Sequence, residues 1–242
     1  MKIYSILVLG CLLLASSFVP ADDHDGKEKN LDGAATTLVV ATSDFDAYLT
    51  AVKASDGLFE ESGALAAGYC RTMAGQDYQG QMMIWNFYED VSAALVGSSQ
   101  YDPSQAPASL AKLREVKYGT VWKPLKAIAN LSSNYERVLR IKVSPENVKP
   151  LIDALIYMES EVQKAGFKSF QNGLYLPIGS GSNEVGTLTL RYLASDAETH
   201  GKIIDDFFSG GAWVPSALKL SGLIDEVQSD SFEQCEVLYM AK

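Results

Sequence analysis

Two stretches of the chain decide its fold: QMMIWNFYED at residues 81–90 and GTLTLRYLASD at residues 186–196. Each contains a run of apolar and β-branched residues that predicts a strand. Each run ends at an aspartate, a residue that favours the N-cap of a following helix. Asp90 and Asp196 lie 106 residues apart, and this spacing indicates that one structural unit occurs twice.

The flanking sequence repeats in the same order. A strand is predicted at residues 36–41 and again at residues 137–143, each followed by a serine that can cap a helix, Ser43 and Ser144. Gly63 and Gly166 then end the helical patterns, and a Gly-rich turn separates two extended runs in each half. A short helical segment and a last strand follow, at residues 118–128 and 232–240. Each half is therefore predicted as β-α-β-β-α-β, the ferredoxin-like order.

A short first strand, a first helix ending in glycine, a hairpin and an acidic cap after an aromatic-rich strand resemble the dimeric α+β barrel superfamily. The nearest branch is the antibiotic-biosynthesis-monooxygenase-like domains. The resemblance implies an α+β fold with two tandem ferredoxin-like βαββαβ modules, residues 36–130 and 134–242, that form a dimeric-α+β-barrel-like arrangement within one chain. Members include cofactor-independent oxygenases, haem-degrading enzymes and proteins without a known role, so the fold does not choose the function.

The N-terminus has the layout of a secretory signal peptide. An apolar run from Ile3 to Val19 precedes small residues ending at Ala21, so that residues 1–21 are predicted to be removed. An uncleaved anchor, which needs about 20 apolar residues, and a lipoprotein signal ending at Cys11 are the weaker alternatives. Residues 22–35 are predicted as a flexible lead-in. The mature protein is expected to be secreted or periplasmic, without integral membrane association.

Charge limits the classes of partner. Removal of residues 1–21 leaves 19 basic and 30 acidic side chains, a net charge of −11. Such a surface repels nucleic acid, so no nucleic-acid partner is expected. With the barrel closed inside one chain, we expect a monomer or a weak dimer.

The face of each strand that points away from the helices suggests a binding site. Alternation places Met83, Trp85 and Phe87 on that face in the first module. In the second module it places there the basic residues Arg140, Lys142 and Arg191. Together they predict a cavity with an aromatic and a cationic wall, suited to a small organic and possibly anionic ligand. The alternative is that Trp85 is ordinary core and that the basic residues are solvated or paired.

Two functions remain open on the sequence alone. The first is non-catalytic binding of a small organic ligand or a protein partner. The second, implied by the resemblance, is a cofactor-independent monooxygenase acting on a small aromatic or quinone-like compound. We expect no cofactor and no metal, because Cys/His clusters are missing and His200 is predicted at a solvated helix start. Cys70 and Cys235 fall in strands that the closed barrel implied by the resemblance would bring together, so a disulfide between them is one hypothesis. The alternative is two separate, partly buried thiols that act as small hydrophobic side chains.

Overall fold

The computed structural model describes residues 31–55 and 57–242, so the predicted signal peptide and most of the predicted lead-in lie outside the described residues. The elements of the first module are β1 (Ala34–Ala41), α1 (Phe45–Lys53), α2 (Gly57–Glu61), β2 (Ala66–Ala74), β3 (Gln81–Tyr88), α3 (Val91–Ser99), a 3-10 turn (Pro103–Gln105), α4 (Ala108–Ala111) and β4 (Glu115–Lys126). Those of the second are β5 (Tyr135–Lys142), α5 (Pro145–Lys164), β6 (Gln171–Gly179), α6 (Gly181–Glu184), β7 (Leu188–Ala194), α7 (Ala197–Phe208), α8 (Val214–Ser221) and β8 (Glu226–Met240).

The eight strands form one closed antiparallel barrel in the order β1-β3-β2-β8-β5-β7-β6-β4. Within each module the last strand pairs with the first, the first with the third and the third with the second. The modules join at two seams, β2 against β8 and β4 against β6. Each seam pairs a strand edge of one module with an edge of the other, so the barrel closes within the chain. The predicted fold class is confirmed.

Aspartate side chains start three helices. Asp44 accepts a hydrogen bond from the Ala47 backbone N–H at 3.0 Å, and Asp90 and Asp196 accept equivalent bonds three residues on at 2.7 Å each. These bonds satisfy amide groups that have no partner within the first turn. The prediction that Ser43 caps the first helix is therefore wrong by one residue.

The two modules differ in the helices that follow their first strands. The helical pattern predicted from Phe45 to Phe59 is interrupted, and α1 and α2 are separate short helices. The corresponding α5 is a continuous helix of 20 residues. Gly63 and Gly166 have φ angles of 73° and 111°, so both follow their helices in a conformation that favours glycine, as predicted.

Several predicted boundaries move. Ala34 and Ala35, assigned to the lead-in, belong to β1, where they pair with Tyr88 and Phe87 and are buried. Both β4 and β8 begin earlier than predicted, at Glu115 and Glu226. The turn predicted after residue 178 contains the short helix α6. Pairing with a neighbouring strand extends each of these strands beyond its local apolar pattern.

Each strand buries one face against helices and the other inside the barrel. The helix-facing side chains form one large apolar cluster in each module, around Tyr48 in the first and Leu155 in the second. A third cluster, which includes Trp85, Phe87 and Trp122, fills part of the barrel interior. Among the described residues, no helix is long and apolar enough to cross a membrane.

Candidate functional site

A cavity of about 220 Å³ lies inside the barrel, and we refer to it as the inner cavity. Met83, Trp85, Phe87 and Arg191 line it, as the alternation of their strands places them. Trp122 and Tyr175 add two further aromatic side chains from β4 and β6. Four of the six residues predicted for the site therefore share one cavity.

A glycine of the neighbouring strand lies opposite each of Trp85 and Arg191. Gly68 pairs with Trp85 across β2 and β3, and a Cβ on Gly68 would overlap the indole ring. Gly173 holds the equivalent position opposite Arg191 in the second module. The two modules thus place different side chains at one position of a repeated framework, an aromatic ring in one and a guanidinium in the other.

Arg191 is held by two buried carboxylates. Its Nε donates to Glu136 at 2.5 Å and its Nη2 donates to Glu233 at 2.6 Å, and all three side chains are at most 15% exposed. Burial raises the pKa of Glu136, an effect that Arg191 opposes and Glu233 reinforces. Burial by itself would lower the pKa of Arg191, but the two carboxylates raise it above its ordinary value. These three residues, the Arg191 triad, therefore do not present a free positive charge.

The structure does not bring Arg140 and Lys142 into the inner cavity. Arg140 lies toward the other end of the barrel, with its Nε 2.9 Å from Glu184. Lys142 is half-exposed and pairs with Glu226 at 2.7 Å across β5 and β8. The prediction of a cationic wall is therefore wrong. Each of its three basic residues is paired with a carboxylate, and of the three only Arg191 lines the inner cavity.

Cys70 and Cys235 face each other in the β2–β8 seam and form a disulfide. The bond crosses between the modules and lines the inner cavity beside Arg191. Within the described residues, the two sulfur atoms and Glu233 are close enough together to suggest a metal site. Because both sulfurs are in the disulfide, neither is the thiolate that a metal would need.

His200 is not at a solvated helix start, and that expectation is wrong. Its side chain is 3% exposed and packs between α7 and the sheet, against the rings of Tyr135 and Phe232. Burial lowers the pKa of His200 to about 4, with a smaller contribution from Arg137. The ring is therefore neutral in the ordinary range of pH.

A second cavity, the outer pocket, lies between the first module's sheet and its helices and has a volume of about 390 Å³. Arg114, which directly precedes β4, lines it and donates to the Tyr48 hydroxyl at 2.9 Å and to the Tyr101 hydroxyl. The two hydroxyl contacts raise the pKa of Arg114 although burial acts against them, so the guanidinium stays charged. No carboxylate within residues 31–55 and 57–242 forms an ion pair with it.

The rest of the outer pocket is mainly apolar. Val52, Phe59, Ile84 and Leu110 supply aliphatic and aromatic surface, and the exposed Glu61 stands at the rim. Asn86 also lines it, with its Nδ2 donating to Thr36 at 3.2 Å while its buried Oδ1 has no hydrogen-bond partner. A charged donor at one end of an apolar space suits a ligand with a ring system and an anionic oxygen.

Sequence reasoning missed the outer pocket because its polar residues come from separate elements. Arg114 and Tyr48 are 66 residues apart, and no motif connects them. Glu136 could have been predicted to point into the barrel, because alternation places it on the same face of β5 as Val138 and Arg140. Glu233 holds the same kind of inward position in β8, where the prediction considered only the cysteine.

No protein-family model and no curated protein matches the chain. Solved structures match over nearly its whole length at low sequence identity. An anthrone oxidase-like protein is 7% identical, with a TM-score of 0.57, and the match covers 87% of this chain and 97% of that one. A candidate monooxygenase from Lactobacillus acidophilus NCFM is 11% identical, with a TM-score of 0.56 and coverages of 87% and 96%.

A haem-binding protein from Thermus thermophilus is 9% identical, with a TM-score of 0.50 and coverages of 84% and 90%. Identities this low speak to the fold alone, and they agree with the strand order seen here. The chain therefore has the dimeric α+β barrel fold, with two ferredoxin-like modules closing one barrel within a single chain.

Proposed function

We propose that the protein binds a small, flat organic anion in the outer pocket. The observation that carries the proposal is Arg114, a charged guanidinium held by two tyrosine hydroxyls without a carboxylate partner in the described chain. A cation in a mainly apolar pocket favours an anionic ligand, because a charge-assisted hydrogen bond is about twice as strong as a neutral one. The ring system of the ligand would lie against Phe59 and Ile84.

Calorimetry with a matched pair of ligands tests this proposal. We expect 2-naphthoate to bind more tightly than 2-naphthamide, which has the same shape without the charge. Arg114→Met should weaken 2-naphthoate binding by roughly 10- to 100-fold, the effect of losing one hydrogen bond to a charged group, and should leave 2-naphthamide almost unchanged. Arg71→Met, at an exposed arginine over the Phe45 ring, is the control and should change neither. Equal binding of the two ligands by the unmodified protein would contradict the proposal.

Oxidation of the bound compound is the second candidate function. It is supported by the similarity to an anthrone oxidase-like protein and to a candidate monooxygenase. Arg114 would stabilise the enolate of an anthrone-type substrate, the form that reacts with oxygen. One O₂ would convert the methylene carbon to a carbonyl, and the second oxygen atom would leave as water. Oxygen uptake with anthrone, reduced by Arg114→Met, supports this candidate, whereas uptake equal to that in buffer rejects it.

Neither cavity offers haem iron a histidine or a cysteine thiolate from the described residues. Histidine and cysteine thiolate are common axial ligands of haem iron. His200, the one histidine among the described residues, lies outside both cavities, and the two described cysteines form a disulfide. The residues that line the two cavities therefore do not fit haem through either of these ligands, and we derive no step through it.

We also propose that the protein acts outside the cytoplasm. The Cys70–Cys235 disulfide supports this location, because such bonds persist in oxidising compartments. The signal-peptide layout of residues 1–21 points the same way. Mass analysis of the exported chain should give an N-terminus at Asp22.

A further inference from the structure

The inner cavity adjoins a cluster of charges that do not balance. The Arg191 triad holds two carboxylates against one guanidinium, and no other cation lines the cavity in the part of the chain that the structure describes. Arg191 can neutralise only one of the two carboxylates, so a cationic occupant would supply the counter-charge of the second. Burying an uncompensated charge is costly, so the cavity favours an occupant that carries a positive charge.

The walls of the inner cavity also suit a cation. Trp85, Phe87, Trp122 and Tyr175 present aromatic rings from three strands, and the Trp85 and Phe87 ring centroids are 5.6 Å apart. Aromatic faces attract organic ammonium groups, most strongly when several rings surround the cation and water is excluded. A negative charge beside such rings strengthens this preference.

Three polar groups at the cavity have no partner within the described residues. The Trp85 indole N–H and the hydroxyls of Tyr175 and Thr189 form no hydrogen bond, although these side chains are only 8%, 6% and 6% exposed. Their polar atoms are not fully enclosed by protein, so they are available to an occupant of the cavity. Because the indole N–H can only donate a hydrogen bond, it favours an occupant that has an oxygen acceptor.

The size of the cavity limits the occupant. An apolar cavity of about 150 Å³ holds benzene, and the inner cavity has about 220 Å³. Asn134 is exposed and also lines the cavity, so the cavity adjoins the solvent-exposed surface. We infer that the inner cavity binds a small organic ammonium compound that bears a hydroxyl or carbonyl oxygen. This site is separate from the outer pocket and opposite to it in charge preference.

Choline and its neutral analogue 3,3-dimethylbutan-1-ol test the inference, since they share shape and hydroxyl group but differ in charge. In calorimetry on the unmodified mature protein, choline should bind at least about tenfold more tightly than the alcohol. Equal or weaker binding of choline overturns the inference, and so does the absence of choline binding up to about 10 mM. This comparison needs no variant and is independent of folding defects.

Glu233→Gln then tests the source of the preference. It removes the excess charge but leaves Arg191 paired with Glu136, so choline and the alcohol should bind within about twofold of each other. Glu226→Gln, the same change at an exposed position of β8, is the control and should retain the preference for choline. An undiminished preference in Glu233→Gln overturns the assignment. Naphthoate binding by the outer pocket should be unaffected, which separates this test from that of the proposed function.

Discussion

The charge that an arginine presents inside this barrel depends on the side chains that contact it. Arg191 would be a free cation on an isolated strand, yet it donates to Glu136 of β5 and to Glu233 of β8, which are paired with each other across those strands. Arg114 stands in the reverse situation, since its hydrogen-bond partners are neutral hydroxyls. These different surroundings of two arginines are the basis of the opposite ligand preferences that we propose for the two cavities.

His200 makes the stability depend on pH. Its pKa is about 4 in the folded protein against an ordinary value of 6.5, so the unfolded chain binds the proton more readily between these values. The free energy of unfolding should fall as the pH drops from 6.5 to 4, by roughly 3 kcal/mol from this residue. Urea unfolding across this range measures the effect.

His200→Phe keeps a ring between Tyr135 and Phe232 and removes the titration. In this variant the free energy of unfolding should decrease much less between pH 6.5 and pH 4. The buried carboxylates should titrate as in the unmodified protein. Parallel pH profiles of the two proteins would show that His200 does not cause the effect.

At the scale of the elements, the two seams convert a repeated sheet into a barrel. β2 and β8 pair from Ala66 to Ala74, and the disulfide lies within this pairing. β4 and β6 make the equivalent seam without a covalent link. The first seam is therefore the one whose strength depends on the redox state.

Removal of the disulfide should weaken the protein. The bond links residues 165 positions apart, and its loss by Cys70→Ser with Cys235→Ser should lower the free energy of unfolding by roughly 3–5 kcal/mol. Urea unfolding with and without reductant measures this change, and the reductant should have no effect on the double variant. Two free thiols in the exported protein, found by alkylation and mass analysis, would contradict the bond itself.

At the scale of the whole molecule, neither module has a complete core alone. The barrel interior combines Trp85 and Trp122 of the first module with Tyr175 and Leu193 of the second. Separation of the modules would expose this interior and four strand edges, a state that soluble proteins avoid. The two modules should therefore unfold together.

Thermal or urea unfolding should show one transition in which far-ultraviolet circular dichroism and tryptophan fluorescence coincide. Trp85 and Trp122 report on the barrel interior, and Trp213 reports on the helical layer of the second module. Two separated transitions would indicate that the modules are independent domains.

The sequence by itself determined the duplicated βαββαβ order and which strand residues point inward. It could do so because strand alternation, helix caps and glycine stops are local properties of the chain. Met83, Trp85, Phe87 and Arg191 were accordingly placed in one cavity without the structure.

Only the tertiary structure decided the electrostatics and the second pocket. The preference of the inner cavity depends on Glu136 and Glu233, which lie 55 and 42 residues from Arg191 and meet it only through strand pairing. The outer pocket depends on Arg114 reaching a tyrosine of α1. The charge that a site presents is set by neighbours in space, and local sequence patterns do not specify those neighbours.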